Sequence, residues 1–192
     1  MIFFIHILLE NDKNLILNTI MYVKQSKMAL FNKSQGKTKD DEFYTFAKDW
    51  QKIEQYIPKD KIVWEPFSNG DFEGVDYLKS ITKELISNTG DFFAAENVGD
   101  IVITNPPFSI KRQVLQRLKE LDKPFIMILP TLTLQTKYLK QIYGDDIQVI
   151  MPTNKIFFYK WIDGEKVHYD KLSYYCCYIC HKMDLPKDFI LL

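Results

Sequence analysis

The chain has 192 residues, with 25 basic and 25 acidic side chains and no formal net charge. Hydrophobic residues make up 46% and aromatic residues 15%, which excludes a disordered chain and predicts one globular domain with a sizeable core. The neutral balance excludes a strongly basic, non-specific nucleic-acid binder, but not a local basic groove over a site.

The first 36 residues differ from the rest: an apolar run at residues 2–9 gives way to the polar Asn32-Lys33-Ser34-Gln35-Gly36. We read 1–36 as an extension, either disordered or an accessory helix, ahead of a domain over 37–192. The apolar run is too short to cross a bilayer and carries no signal-peptide features, so no membrane partner is expected. Three cysteines clustered at Cys176, Cys177 and Cys180 give no disulfide framework. They point to a reducing, intracellular location.

Asp40-Asp41-Glu42 opens a predicted helix, with Phe46, Trp50, Ile53 and Ile57 at helical spacing and Pro58 as its stop. Lys61-Ile62-Val63-Trp64 reads as a strand, followed by the turn-rich Glu65-Pro66-Phe67-Ser68-Asn69-Gly70. Tyr77, Leu78 and Ile81 suit a short helix leading to a weak strand at Leu85-Ile86. Ile101-Val102-Ile103-Thr104 is a buried strand by its β-branched run. A helix over 110–121, a strand over 125–129, a helix over 132–143, a strand over 147–150 and a last strand over 174–179 follow, with a loop at 164–173 that holds His168. Apolar strands separated by helices predict an α/β fold: a mostly parallel central sheet with helices on both faces, and a C-terminal antiparallel hairpin. Ligands of such sheets sit at the carboxyl ends of the strands.

Asn105-Pro106-Pro107-Phe108 occupies one of those ends. Two prolines stiffen the loop and remove two backbone donors. The Asn105 side-chain oxygen and the Pro106 carbonyl are acceptors that could hold both hydrogens of a planar exocyclic amine, and Phe108 offers a face for stacking a flipped base. Lys111 and Arg112 follow directly and could meet phosphates. The bland alternative is an ordinary strand-to-helix turn with a capping Asn or Ser109.

Here the chain resembles the Rossmann-like class I amino-methyltransferases, whose signature is Asp, Asn or Ser followed by Pro-Pro and Tyr or Phe. Over about residues 40–180 it is most similar to small Dam-like N6-adenine DNA methyltransferases of phages and large DNA viruses. The resemblance implies S-adenosyl-L-methionine as cofactor and methylation of adenine N6 in DNA, with the base flipped out. It implies catalytic roles for Asn105, Pro106, Pro107 and Phe108. For the cofactor it implies Phe43, Tyr44 and Thr45 in the N-terminal motif, Glu65, Pro66 and Phe67 in the first loop, Asp91 and Phe92 beside the adenine ring, and Asn105. Phe108, Lys111, Arg112 and Phe158 would meet the substrate, Phe158 from the segment Ile156-Phe157-Phe158-Tyr159. No metal is implied. The location implied is the cytoplasm or the site of phage or viral DNA replication. The chain departs from the family in two places: its first loop carries one glycine where two are usual, and Ser87-Asn88 stand where an acid would bind the ribose.

Other readings stay open. The same loop serves enzymes acting on RNA base amines or protein glutamines, and a catalytically silent binding subunit would fit the altered cofactor loop. No target-recognition segment is obvious, so sequence specificity is expected to be low, borne by loops, or supplied by a homodimer mate or a separate specificity subunit. Cys177-Tyr178-Ile179-Cys180-His181 matches a haem-attachment pattern but lacks the export context this needs, and a continuous strand sends alternate residues to opposite faces and so does not gather Cys176, Cys177, Cys180 and His181 around a zinc; buried structural thiols are expected.

Overall fold

The structure, a computed structural model, describes residues 43–68, 72–87, 90–96, 98–162, 165–169 and 173–192. The expected extension over 1–36, the helix start at Asp41-Glu42, the glycine-bearing turn at Asn69-Gly70 and the position of Asn88 lie outside the described residues.

The described chain runs β1 (Tyr44–Thr45), α1 (Ala47–Gln51), β2 (Ile62–Glu65), α2 (Phe72–Ile81), β3 (Glu84–Ser87), β4 (Ile101–Thr104), α3 (Lys111–Glu120), β5 (Phe125–Pro130) and α4 (Lys137–Tyr143). It ends with β6 (Gln148–Met151), β7 (Phe158–Ile162), β8 (Glu165–Tyr169), β9 (Cys176–His181) and β10 (Phe189–Leu191). Seven strands form one sheet in the order β10-β6-β9-β5-β4-β2-β3. All its pairings are parallel except those of β9, which lies antiparallel between β5 and β6. This is the α/β arrangement of class I methyltransferases, as the sequence predicts.

Every residue of β4, β5 and β9 is buried, which is why their apolar runs show no alternation. From β2 the chain crosses to β3 on one side, and from β4 it crosses to β5 on the other. Right-handed crossovers in opposite directions place their helices on opposite faces. The helix contacts agree: α1 packs on α2, and α3 packs on α4, with the Tyr143 hydroxyl donating to the Leu115 carbonyl at 2.8 Å. Gly99 precedes β4 at φ +60°, and a Cβ there would meet the Ile62 carbonyl oxygen at 3.0 Å, so the close approach to β2 requires glycine.

Three expectations are corrected. Tyr44-Thr45 is not helical: it forms β1, which pairs antiparallel with β7 (Tyr44 with Tyr159, Thr45 with Phe158). The helix begins only at Ala47, because that pairing holds the preceding backbone extended. The expected loop over 164–173 contains β8, which forms the antiparallel hairpin with β7; His168 therefore lies on a strand, against the rings of Phe46 and Phe157. The expected helix over 132–143 is broken at Thr136, whose backbone is extended, into a 3-10 turn and α4.

The three cysteines are buried, free thiols on β9. Desolvation pushes all three thiols up, Cys177 to about 12. Such thiols are inert. Among the described residues no helix is long and apolar enough to cross a membrane.

Candidate active site

The direction of the crossovers reverses between β2 and β4, so the crevice at their carboxyl ends is the topological switch point of the sheet. Glu65 ends β2, and Asn105 follows β4. The two loops singled out in the sequence are therefore neighbours in space.

Glu65 is buried, which a carboxylate tolerates only with partners. Its Oε1 accepts from the Phe67 backbone N–H at 2.9 Å and from the Thr104 hydroxyl at 2.6 Å. The second contact bridges the two strands at the switch point. Thr104 was not singled out in the sequence, where it completes a β-branched run. The available signal was a hydroxyl on the residue next to Asn105.

Asn105 is held from the N-terminal side of the domain. Its Nδ2 donates to the Phe43 carbonyl at 2.7 Å. A carbonyl only accepts, so the amide must turn its NH2 toward Phe43. That leaves Asn105 Oδ1 buried and without a hydrogen-bond partner. A buried orphan acceptor is costly and uncommon, and its presence at a strand end marks a place for a donor. The Pro107 carbonyl accepts from the Ile110 N–H at 3.2 Å, which closes the loop into a 3-10 turn.

Aromatic rings line the loop. Phe43 stacks on Phe108 with centroids 6.0 Å apart, and Phe158 and Tyr174 meet Phe108 edge-on, each at 6.0 Å. Tyr169 lies 5.2 Å from Phe43, and Lys160 sits over both rings at 4.9 and 4.3 Å. Phe108 is nearly buried, with one face backed by Phe43, and Phe158 is fully buried beneath the pair. Phe158 thus supports the cluster from below. Lys111 Nζ donates to the Phe108 carbonyl at 2.8 Å, and Arg112 lies over Tyr138 at 5.7 Å.

On the other side of the crevice Phe92 joins the two expected cofactor segments, 4.9 Å from Phe67 and 5.2 Å from Trp64. Phe92 is buried and Phe93 half-buried. Asp91 Oδ1 accepts from the Phe93 N–H at 2.9 Å and holds the turn that carries Phe92. Pro66 is buried between these segments in sequence. Of the N-terminal motif, Phe43 reaches the Asn105–Phe108 loop. Tyr44 and Thr45 are buried in β1, with Tyr44 stacked on Tyr159 on the opposite face of the small sheet from Phe158.

Residues 61–143 match the family model of the adenine-specific methyltransferase EcoRI. The match runs from the start of β2 through α4 and includes Glu65, Asp91 and Asn105. No curated protein sequence matches the chain. Among solved structures, a candidate RNA methyltransferase of Pyrococcus horikoshii is similar with 18% identity and a TM-score of 0.43, covering 68% of this chain and 78% of that one. The 23S rRNA methyltransferase ErmE has 12% identity, a TM-score of 0.47, and coverage of 73% and 70%. The tRNA (m1A58) methyltransferase TrmI from Aquifex aeolicus has 17% identity, a TM-score of 0.42, and coverage of 70% and 68%. The fold is that of S-adenosylmethionine-dependent methyltransferases, and methyltransferase families of this fold use that cofactor.

The residues present fit such a cofactor. Glu65 places a buried carboxylate at the switch point, and Phe67, Phe92 and Asp91 form an aromatic and acidic wall beside it. A cationic sulfonium, an amine and a flat purine are the chemical complements of that set.

Proposed function

We propose that this chain is a Dam-like enzyme that transfers a methyl group from S-adenosylmethionine to the exocyclic N6 amine of adenine in DNA. One observation carries the reading: the Asn105 amide is anchored through its NH2 to the Phe43 carbonyl, and its oxygen is left buried and unpartnered beside the switch point. An enzyme that must grip an amine needs such an acceptor, oriented before the substrate arrives.

The cofactor, when bound, supplies an electrophilic methyl on a sulfonium sulfur. Asn105 Oδ1 and the Pro106 carbonyl accept the two amine hydrogens. This favours a pyramidal nitrogen and directs its lone pair toward the methyl. Transfer would form the N–C bond as the methyl's S–C bond breaks and the neutral thioether leaves, and the two oxygens would stabilise the positive charge that the nitrogen gains. The extra proton then leaves to solvent, so no separate general base is required. Phe108, backed by Phe43 and Phe158, provides the face against which the flipped base lies. Glu65, held by Thr104 and the Phe67 N–H, faces the cationic half of the cofactor, while Asp91 and Phe92 border its adenine. Lys111 and Arg112 meet the phosphates flanking the target.

Asn105→Ala tests the assignment. The variant should lose methyl transfer by at least about a hundredfold while retaining its fold and most of its cofactor affinity, since it removes one preorganised acceptor. Wild-type turnover by this variant would refute the role.

A further inference from the structure

The chain is neutral overall, but between residues 101 and 162 its carboxylates gather at one edge of the large sheet, where Arg117, Lys140 and Lys182 pair with three of them. Between residues 101 and 162 the carboxylates are Glu120, Asp122, Asp145 and Asp146. Glu120 ends α3 and Asp122 follows it, just before β5; Asp145 and Asp146 follow α4, just before β6. All four therefore lie at the edge where the parallel strands begin. Contacts from the end of β9 confirm the placement: Lys182 bonds Asp122 at 2.6 Å, and the His181 ring bonds the Asp146 carbonyl at 2.7 Å.

The opposite edge, where the catalytic loop lies, is built from segments of another kind. The stretches 101–119, 123–144, 147–162 and 173–183 contain no carboxylate. They carry Lys111 and Arg112 at the start of α3, Lys137 at the start of α4, and Lys155 beyond β6. On the far side of the switch point the same edge is acidic, with Glu65, Glu73 and Asp91. Among the described residues, the hairpin adds one acid, Glu165, near its tip. The switch point thus divides the carboxyl edge into an acidic half, on the proposed cofactor side, and a basic half beyond the catalytic loop.

The basic half also exposes apolar surface. Tyr175 is 64% and Leu132 59% exposed. They are held together, since the Thr131 N–H donates to the Tyr175 carbonyl at 2.9 Å. Arg112 lies over Tyr138 beside Lys137, and Lys155 lies 5.8 Å over Tyr175.

We propose that this rim, from Arg112 through Lys137 and Leu132 to Tyr175, is the track along which a nucleic-acid strand runs on leaving the catalytic loop. The proposal rests on the reading that the substrate base belongs to a nucleic acid. A strand offers regular negative charge for the cations and base faces for the exposed tyrosine, and an aromatic-lined basic groove is how single strands are held. A protein substrate would offer neither in register. No carboxylate of residues 101–162 opposes these cations at the carboxyl edge, so a neutral chain still offers a polyanion a local basic surface.

The test uses the full chain and a fluorescein-labelled single-stranded oligodeoxynucleotide, with an oligoribonucleotide of the same sequence as a second arm, followed by anisotropy across a salt series. The double variant Lys137→Gln, Tyr175→Ala should weaken binding by about tenfold or more and reduce the slope of log affinity against log salt by about 0.7, one single-strand phosphate contact. Lys182→Gln, at the opposite edge, should leave affinity and slope unchanged. Tighter binding in the RNA arm, with the same loss in the double variant, supports the track and names RNA as the occupant. If the wild type methylates DNA and the double variant binds as tightly as Lys182→Gln, the track is wrong and the proposed function stands. If the wild type methylates only a protein amine and binds neither oligonucleotide, both fall.

Discussion

Thr104→Val removes a single hydroxyl from the floor of the proposed site. Thr104 is fully buried at the end of β4, and valine has nearly its shape and suits a strand, so no cavity opens and the backbone has no cause to shift. What is lost is the 2.6 Å bond to Glu65 Oε1, which leaves the Phe67 N–H as that oxygen's partner in this pair of contacts. A hydrogen bond to a charged group contributes about 1.5–3 kcal/mol, and here the acceptor stays buried after the donor has gone. The variant should therefore lose about 2 kcal/mol of stability, seen as a lower urea midpoint with unchanged m-value. Glu65 also loses the contact that aims it across the switch point, so S-adenosylmethionine should bind about tenfold more weakly by calorimetry, equivalent to about 1.4 kcal/mol. Unchanged midpoint and unchanged affinity together would show that the Thr104–Glu65 contact organises nothing.

Asn105→Asp separates the two ends of the amide. The variant keeps an acceptor for the amine but places a carboxylate against the Phe43 carbonyl, where a donor is needed. Its kcat should fall less than that of Asn105→Ala, and its urea midpoint should drop; equal kcat losses in the two variants would contradict the separation of roles. Phe108→Ala should raise KM for oligonucleotide by about tenfold or more through lost stacking, with Phe108→Tyr close to wild type; equal behaviour of the two would exclude stacking. Asp49 is buried in α1, and desolvation raises its pKa, with Lys52 beside it opposing the shift. Between the ordinary carboxylate range and this raised value the unfolded chain has released a proton that the folded chain holds, so stability falls as pH rises through that window. Asp49→Asn should therefore raise Tm at neutral pH and converge with wild type in acid; a Tm lowered at neutral pH would show that the Lys52 pair outweighs burial.

The central strands were legible because burial on both faces writes itself as uninterrupted apolar runs, as in Ile101-Val102-Ile103-Thr104 and Phe125-Ile126-Met127-Ile128-Leu129. Segments that owe their form to distant partners were not. Tyr44-Thr45 is a strand because Phe158 and Tyr159 pair with it, more than a hundred residues on, and helical spacing from Phe46 onward masked this. β8 is exposed along most of its length and so carries no burial pattern to read. The Asn105–Phe108 loop was visible through its prolines, but the contacts that hold it were not. That Asn105 is tethered by the Phe43 carbonyl, and that Thr104 braces Glu65, are contacts between residues 62 and 39 positions apart. The gathering of the carboxylates of residues 101–162 at one sheet edge was likewise hidden behind a net charge of zero, since a sum carries no position.

The central claim is that this chain methylates adenine N6 in DNA. Incubating the full-length protein with methyl-labelled S-adenosylmethionine and, in parallel, DNA, RNA and protein, followed by digestion and chromatography of the products, tests it most directly. The account predicts label in N6-methyladenine from DNA, absent with Asn105→Ala. Label only in protein or RNA, or cofactor binding with no transfer to any substrate, would contradict it.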